Sequence, residues 1–244
     1  AAVHCVIVGF GLQDVAEKTI FEYADIKGEA LAVPVSNINP YLVDAPDLVL
    51  EKRNQPICIV PTISYGSMAN DDGHLLLDKE QRNALIAAEP ATAPYIRRYM
   101  GAQEFLNNAE RWCLWLKDIS PSLMRSSNEL RHRIEAVRKF RASSNREATR
   151  NLAATPSLFG EDRQPLKSYL LLPKVSSENR PYMPIGFMPS EVIANGSALT
   201  ISDSGHYEMG VLQSKMHMAW MRAVAGRMKS DYQYSAQIVY NNFP

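Results

Sequence analysis

Between Ser122 and about Arg150, Leu123, Leu130, Ile134, Val137 and Phe140 recur near helical spacing with charged residues between them, which predicts a long amphipathic helix. A second helix is predicted from Glu208 to about Ala225, where Met209, Leu212, Met216, Trp220 and Val224 form one stripe and Gly226 supplies a stop. Such a stripe reads as core rather than as a cofactor box. "DKEQRNALIAAEP" predicts a short helix after Asp78, ended by Pro90. Elsewhere the apolar runs are short and bounded by turn residues, the mark of strands. They are "KTIFEY" and "EALAVPV" in the first 35 residues, "ERWCLWLKD" (Glu110 to Asp118), then "KSYLLLP", "YMPIGFM", "VIANGSALTIS" and the alternating "DYQYSAQIVYNNFP". Val3 to Phe10 is almost continuously apolar, as in a strand buried on both faces of a parallel sheet. "NINPYLVDAPDLVL" (Asn37 to Leu50), with Pro40 and Pro46, reads as a connector, so a boundary is placed near residue 50. The fold class expected is α+β, with short mixed or antiparallel strands and a few helices.

Composition narrows the class. The 244 residues, 46% of them hydrophobic, suffice for a proper core, and 26 basic against 26 acidic residues leave no net charge. Any nucleic-acid surface must therefore be local. One local excess exists: Arg125, Arg131, Arg133, Arg138, Lys139, Arg141, Arg146 and Arg150 outweigh Glu129, Glu135 and Glu147 on the first predicted helix. That face is either solvated or in contact with a phosphate backbone, with Arg131, Arg138 and Arg141 as phosphate candidates. Cys5, Cys58 and Cys113 are widely spaced without a C-x-x-C pair, which fits buried, reduced thiols in a cytoplasmic protein. No apolar run is long enough to span a bilayer, and the first residues lack signal-peptide flanks.

Catalytic constellations fail on inspection. "VGFG" (Val8 to Gly11) lacks the rest of a G-x-G-x-x-G loop, and "NPY" (Asn39 to Tyr41) lacks the second proline of the N-P-P-Y loop that grips a flipped adenine. In "PDLVLEKR", Glu51 and Lys52 are adjacent and cannot face one way from a strand, as a PD-(D/E)-x-K nuclease requires. "NDDGH" (Asn70 to His74) groups potential metal ligands in one short loop without a partner cluster, which is the composition of a turn. No nucleophile, base and orienting group assemble, so the chain is expected to be non-catalytic.

Three runs carry a resemblance: "RRYMGAQEFLNNAERWCLWLKD", "KVSSENRPYMPIGF" and "GVLQSKMHMAWMRAVAGRMKSDYQYSAQIVYNNFP". In this order they resemble the C-terminal part of the MmeI-like family, single-chain restriction-modification enzymes that join a nuclease, an adenine-N6 methyltransferase and a target recognition domain. The resemblance implies that residues 51–244 form the recognition domain and bind double-stranded DNA. It implies that residues 1–50 are remnant strands of the methyltransferase sheet plus the connector. The S-adenosylmethionine and Mg2+ sites, with the methyltransferase and nuclease domains, would lie upstream, so no cofactor is expected within these residues. In the family, the residues just before the Y-x-Y-S run resemble a base-reading pair, and here they are Lys229 and Asp231. A lysine can donate to guanine and a carboxylate can accept from cytosine N4, so a pair on one strand face addresses both members of a G·C pair. The alternative for this pair is an exposed ion pair of little energetic value. Further DNA-binding candidates are Lys174, Ser176, Ser177, Glu178, Asn179 and Arg180 in a polar loop, and Lys215, Arg222 and Arg227 in and after the second helix. Tyr232 and Tyr234 read as packing residues. Two other functions stay open: a methyltransferase fragment that binds S-adenosylmethionine at Val8 to Gly11, and a module whose basic helix docks protein.

Overall fold

Apolar runs so short give short strands, and none among the described residues of the computed structural model, 6–25 and 27–244, exceeds five residues. β1 (Lys18–Glu22) and β2 (Leu31–Val35) form an antiparallel hairpin, followed after an irregular stretch by β3 (Ile63–Tyr65) and β4 (Leu76–Leu77). α1 (Lys79–Ala88) starts at a capping box in which the Asp78 side chain accepts from the Gln81 amide. Then come β5 (Ile96–Met100), α2 (Ala102–Asn107), β6 (Trp112–Leu114), α3 (Pro121–Ser126), α4 (Asn128–Ala142) and α5 (Glu147–Asn151). The second half holds β7 (Tyr169–Pro173), β8 (Val175–Ser176), β9 (Gly186–Met188), β10 (Ile193–Ala194) and β11 (Ala198–Ser202). α6 (His206–Leu212), α7 (Lys215–Val224), β12 (Gly226–Met228) and β13 (Asp231–Gln233) follow, before one π-helical turn over Ala236–Tyr240.

Apart from the β1–β2 hairpin these strands build three small sheets, ordered β10-β5-β6-β4, β3-β11-β7-β9 and β12-β13-β8. All pairings are antiparallel except β10 with β5. With helices packed on them, the class is α+β, as the sequence predicts. β7 is buried on both faces: Leu170 and Leu172 enter a cluster with Leu199, Ile201, Met218 and Met221, while Tyr169 and Leu171 join Met100, Ala194 and Ala198. A third cluster joins β4, β5 and β6 to α1 and α4 through Leu77, Leu85, Ile96, Leu114, Leu130, Ile134 and Val137.

The turn between β10 and β11 ties the first two sheets together. The Asn195 amide donates to the Met100 carbonyl (2.8 Å), the Ser67 amide to the Ala194 carbonyl (2.7 Å), and the Lys174 amide to the Ser197 carbonyl (3.1 Å). The neighbouring backbone comes so close that a Cβ on Gly66 would sit 2.2 Å from the Asn195 carbonyl oxygen. Glycine is required there by space alone.

Several expectations are corrected. The long basic helix is three helices: Ser127 caps α4 by accepting from the Leu130 amide (3.0 Å), and residues 143–146 separate α4 from α5. The Glu89 carboxylate accepts from the Asn128 and Glu129 amides (3.1 and 3.3 Å) and from the Ser127 hydroxyl, placing negative charge at the α4 N-terminus. The second predicted helix is likewise interrupted by Ser214, which caps α7 through the His217 amide, and this turns Met216 out to 66% exposure. The terminal run is a strand only over β13. Residues 6–10 are irregular and exposed, outside every sheet, and Val3 to Cys5 lie outside the described residues. Cys113 is buried, Cys58 is exposed, and Cys5 is not among the described residues.

Candidate nucleic-acid interface

The chain leaves α7 at Ala225 and doubles back at once, pairing Gly226 with Gln233, Arg227 with Tyr232 and Met228 with Asp231. Lys229 and Ser230 form the turn. Lys229 takes φ 58°, the left-handed region that a non-glycine residue adopts at a cost of about 1 kcal/mol. This corrects the expectation that Lys229 and Asp231 share a strand face: Lys229 stands in the turn and Asp231 opens the returning strand. The two still meet at the tip of one hairpin, and no ion pair joins them among the described residues. A donor and an acceptor are therefore presented there without being spent on each other.

β13 pairs on its other side with β8, Tyr232 opposite Ser176 and Gln233 opposite Val175, and the Tyr234 amide extends the ladder to the Lys174 carbonyl (2.7 Å). The polar loop 174–180 and the hairpin thus lie side by side. Within the loop, Glu178 and Asn179 are exposed, Ser177 and Arg180 are half-buried, and Ser176 is buried at 2% exposure. Burial removes Ser176 as a direct contact to a ligand. Arg227 bridges to this loop, 3.9 Å from the Glu178 carboxylate. Lys174 lies with its ammonium 4.2 Å over the Tyr65 ring, and burial together with the nearby Arg163 charge lowers its pKa. Tyr65 and Arg163 carry no local sequence signal, because the strand order β3-β11-β7 brings Tyr65 beside Lys174 and the Ser67 hydroxyl, accepting from the Arg163 amide (3.0 Å), holds Arg163 near Tyr65.

The hairpin stands on a packed base. Tyr232 and Tyr234 are buried, as their alternation implies. Tyr234 hydroxyl and His217 Nε2 are 3.0 Å apart, and the His217 ring meets Phe243 edge-on at 4.6 Å. Burial pushes the His217 pKa down to about 4, so the imidazole stays neutral. On α7, Lys215 and Arg222 are exposed near opposite ends.

The basic helical region contributes less than its composition suggests. Arg141 is fully buried and donates to five backbone carbonyls, those of Ala69, Asn70, Leu152, Thr155 and Leu158 (2.7 to 3.0 Å). It cannot contact phosphate, which corrects that assignment. Arg133 also turns inward, to the His74 carbonyl (3.0 Å) and Glu129 (2.7 Å). Arg131 and Arg138 remain exposed, beside Asn128 (2.6 Å) and Glu135 (3.3 Å).

The Asn70 to His74 loop is built as a turn. Asp71 closes its own turn by accepting from the Leu75 amide (2.5 Å), and no group of three or more His, Cys, Asp or Glu side chains converges among the described residues. Gly9 and Gly11 have nothing within 4 Å of where a Cβ would stand, so space does not require glycine at either position. No described helix is long and apolar enough to cross a membrane.

Residues 44–244 match the family model described as "MmeI, target recognition domain". The whole chain is 37% identical to DNA methyltransferase A of Bacillus subtilis (strain 168) and covers 27% of that protein. A solved structure of the Type IIL restriction-modification enzyme MmeI in complex with DNA superposes on 99% of the chain, with a TM-score of 0.92 and 46% identity, and the chain spans 32% of it.

Proposed function

The chain belongs to the MmeI target recognition domain family, and from that premise we propose that it reads a short asymmetric sequence of double-stranded DNA on behalf of a larger restriction-modification protein. The observation that carries the proposal is the hairpin tip, where an unpaired lysine donor and an unpaired carboxylate acceptor project from a sheet with a buried aromatic base. In the major groove Lys229 donates to guanine O6 or N7 and Asp231 accepts from cytosine N4, so one G·C pair is addressed from both strands. Lys174, Asn179 and Arg180 supply neighbouring polar contacts, and Lys215, Arg222, Arg131 and Arg138 are the exposed cations available for phosphates.

The same premise extends to organisation. Residues 51–244 act as the recognition domain, while residues 1–50 belong with a methyltransferase domain and the connector. The reading assigns S-adenosylmethionine and Mg2+ to the remainder of a longer cytoplasmic protein carrying methyltransferase and nuclease domains. The chain itself positions DNA and performs no bond chemistry.

Selection of a random duplex pool with the protein, at low and at moderate salt, tests this. One asymmetric motif is expected to be enriched, with affinity falling steeply as salt rises because phosphate contacts release counterions. Salt-sensitive binding without a motif would overturn the reading.

A further inference from the structure

Arg227 makes three contacts from the middle of β12. Its guanidinium lies 4.0 Å from the centre of the Tyr232 ring, the residue opposite it in register. Its Nη1 donates to the Ser230 carbonyl (3.0 Å), the peptide that joins the turn to Asp231. Its charge faces the Glu178 carboxylate across the sheet, 3.9 Å away. Tyr232 is buried and paired on both sides, so the platform under the guanidinium is fixed.

A phosphate ligand needs its guanidinium free to face the DNA backbone. Arg227 has one planar face covered, one donor committed to the turn, and a carboxylate already beside it. The first residue of that turn, Lys229, holds a left-handed backbone that neighbouring contacts must enforce. We propose that Arg227 is a positioning residue that fixes the hairpin tip, and through it the Lys229 and Asp231 pair, rather than a contact to phosphate. The inference rests on the recognition reading above.

The experiment compares wild type, Arg227→Lys, Arg227→Gln and Glu178→Gln by random-duplex selection, followed by affinity against salt on the enriched sequence. Lysine keeps the charge but loses the planar stack and the fork. Arg227→Lys should therefore relax the preference at a single base pair by about tenfold, with the salt slope unchanged. Glu178→Gln should relax the same position in the same direction without altering the rest of the motif. If Arg227→Lys keeps the motif, Arg227→Gln reduces the salt slope by about 1 without relaxing any position, and Glu178→Gln merely tightens binding, Arg227 is a phosphate contact and the proposal is overturned. A wild type that enriches no motif overturns the recognition reading and this proposal together; an intact wild-type motif isolates the failure to Arg227.

Discussion

At the scale of single residues, the same amino acid takes opposite roles according to what surrounds it. Arg141 uses all five of its N–H donors on backbone carbonyls inside the protein, whereas Arg131 and Arg138 on the same helix are exposed. Arg141→Met should lower unfolding free energy by about 3 to 5 kcal/mol in urea titration, since several buried acceptors lose their partner at once. Arg131→Ala and Arg138→Ala should each change it by no more than about 0.5 kcal/mol. An Arg141 effect as small as theirs would refute the structural role. His217 gives a pH signature. Its folded pKa of about 4 lies below the ordinary 6.5, so the unfolded chain takes up the proton first, and stability present above pH 6.5 is lost as pH falls toward 4. The full loss is about 3 kcal/mol. Urea midpoints at pH 7.5 and pH 5 should therefore differ for wild type by more than for His217→Gln; equal shifts would mean another group carries the acid sensitivity. In the sequence, Arg141 is indistinguishable from its exposed neighbours, because five carbonyls drawn from residues 69–70 and 152–158 leave no local pattern.

At the scale of elements, helical content was largely legible and helix breaks were not. The apolar spacing over Ser122 to Arg150 correctly implies helix, and Asp78 correctly announces α1, but Ser127 and Ser214 act as caps inside what reads as continuous periodicity. A serine within a polar face looks the same whether it caps or is merely solvated. The tip hairpin was hidden for a related reason: its turn is Lys-Ser, without the glycine or asparagine that normally marks a two-residue connection. The two-residue spacing of Lys229 and Asp231 implies a shared strand face, whereas Lys229 lies in the turn and Asp231 opens β13. The Asn195 turn makes a prediction at this scale. Gly66→Ala would drive a methyl group into the Asn195 carbonyl and should cost about 3 kcal/mol by thermal or urea unfolding. Gly210→Ala, where a Cβ meets nothing within 4 Å, should be neutral or stabilising; a harmless Gly66→Ala would show that the β10–β11 junction is looser than described.

At the scale of the molecule, the distribution of packing explains why a neutral chain can still present a binding edge. The sheets share three hydrophobic clusters, and the C-terminal turn closes the one around Leu170 and Leu172 by holding the irregular segment before β3. The Asn241 side-chain amide donates to the Arg53 carbonyl (2.7 Å), that of Asn242 to the Glu51 carbonyl (3.1 Å), and the Tyr240 hydroxyl to the Pro61 carbonyl (2.6 Å). These clamps fix the floor beneath the β12–β13–β8 sheet, leaving its hairpin tip exposed. The side chains of Ile7, Phe10, Leu12, Phe21 and Leu31, all within residues 6–35, are exposed. On the proposed reading, what the molecule offers DNA is local and geometric, a donor and an acceptor on one hairpin. The most direct test is sequencing of duplexes selected by wild type and by the double swap Lys229→Glu with Asp231→Arg. Exchange of donor and acceptor should pass one position of the motif from G·C to C·G, with about 1 to 3 kcal/mol of discrimination, and leave every other position unchanged. An identical motif from both proteins would mean that the hairpin tip does not read the base pair.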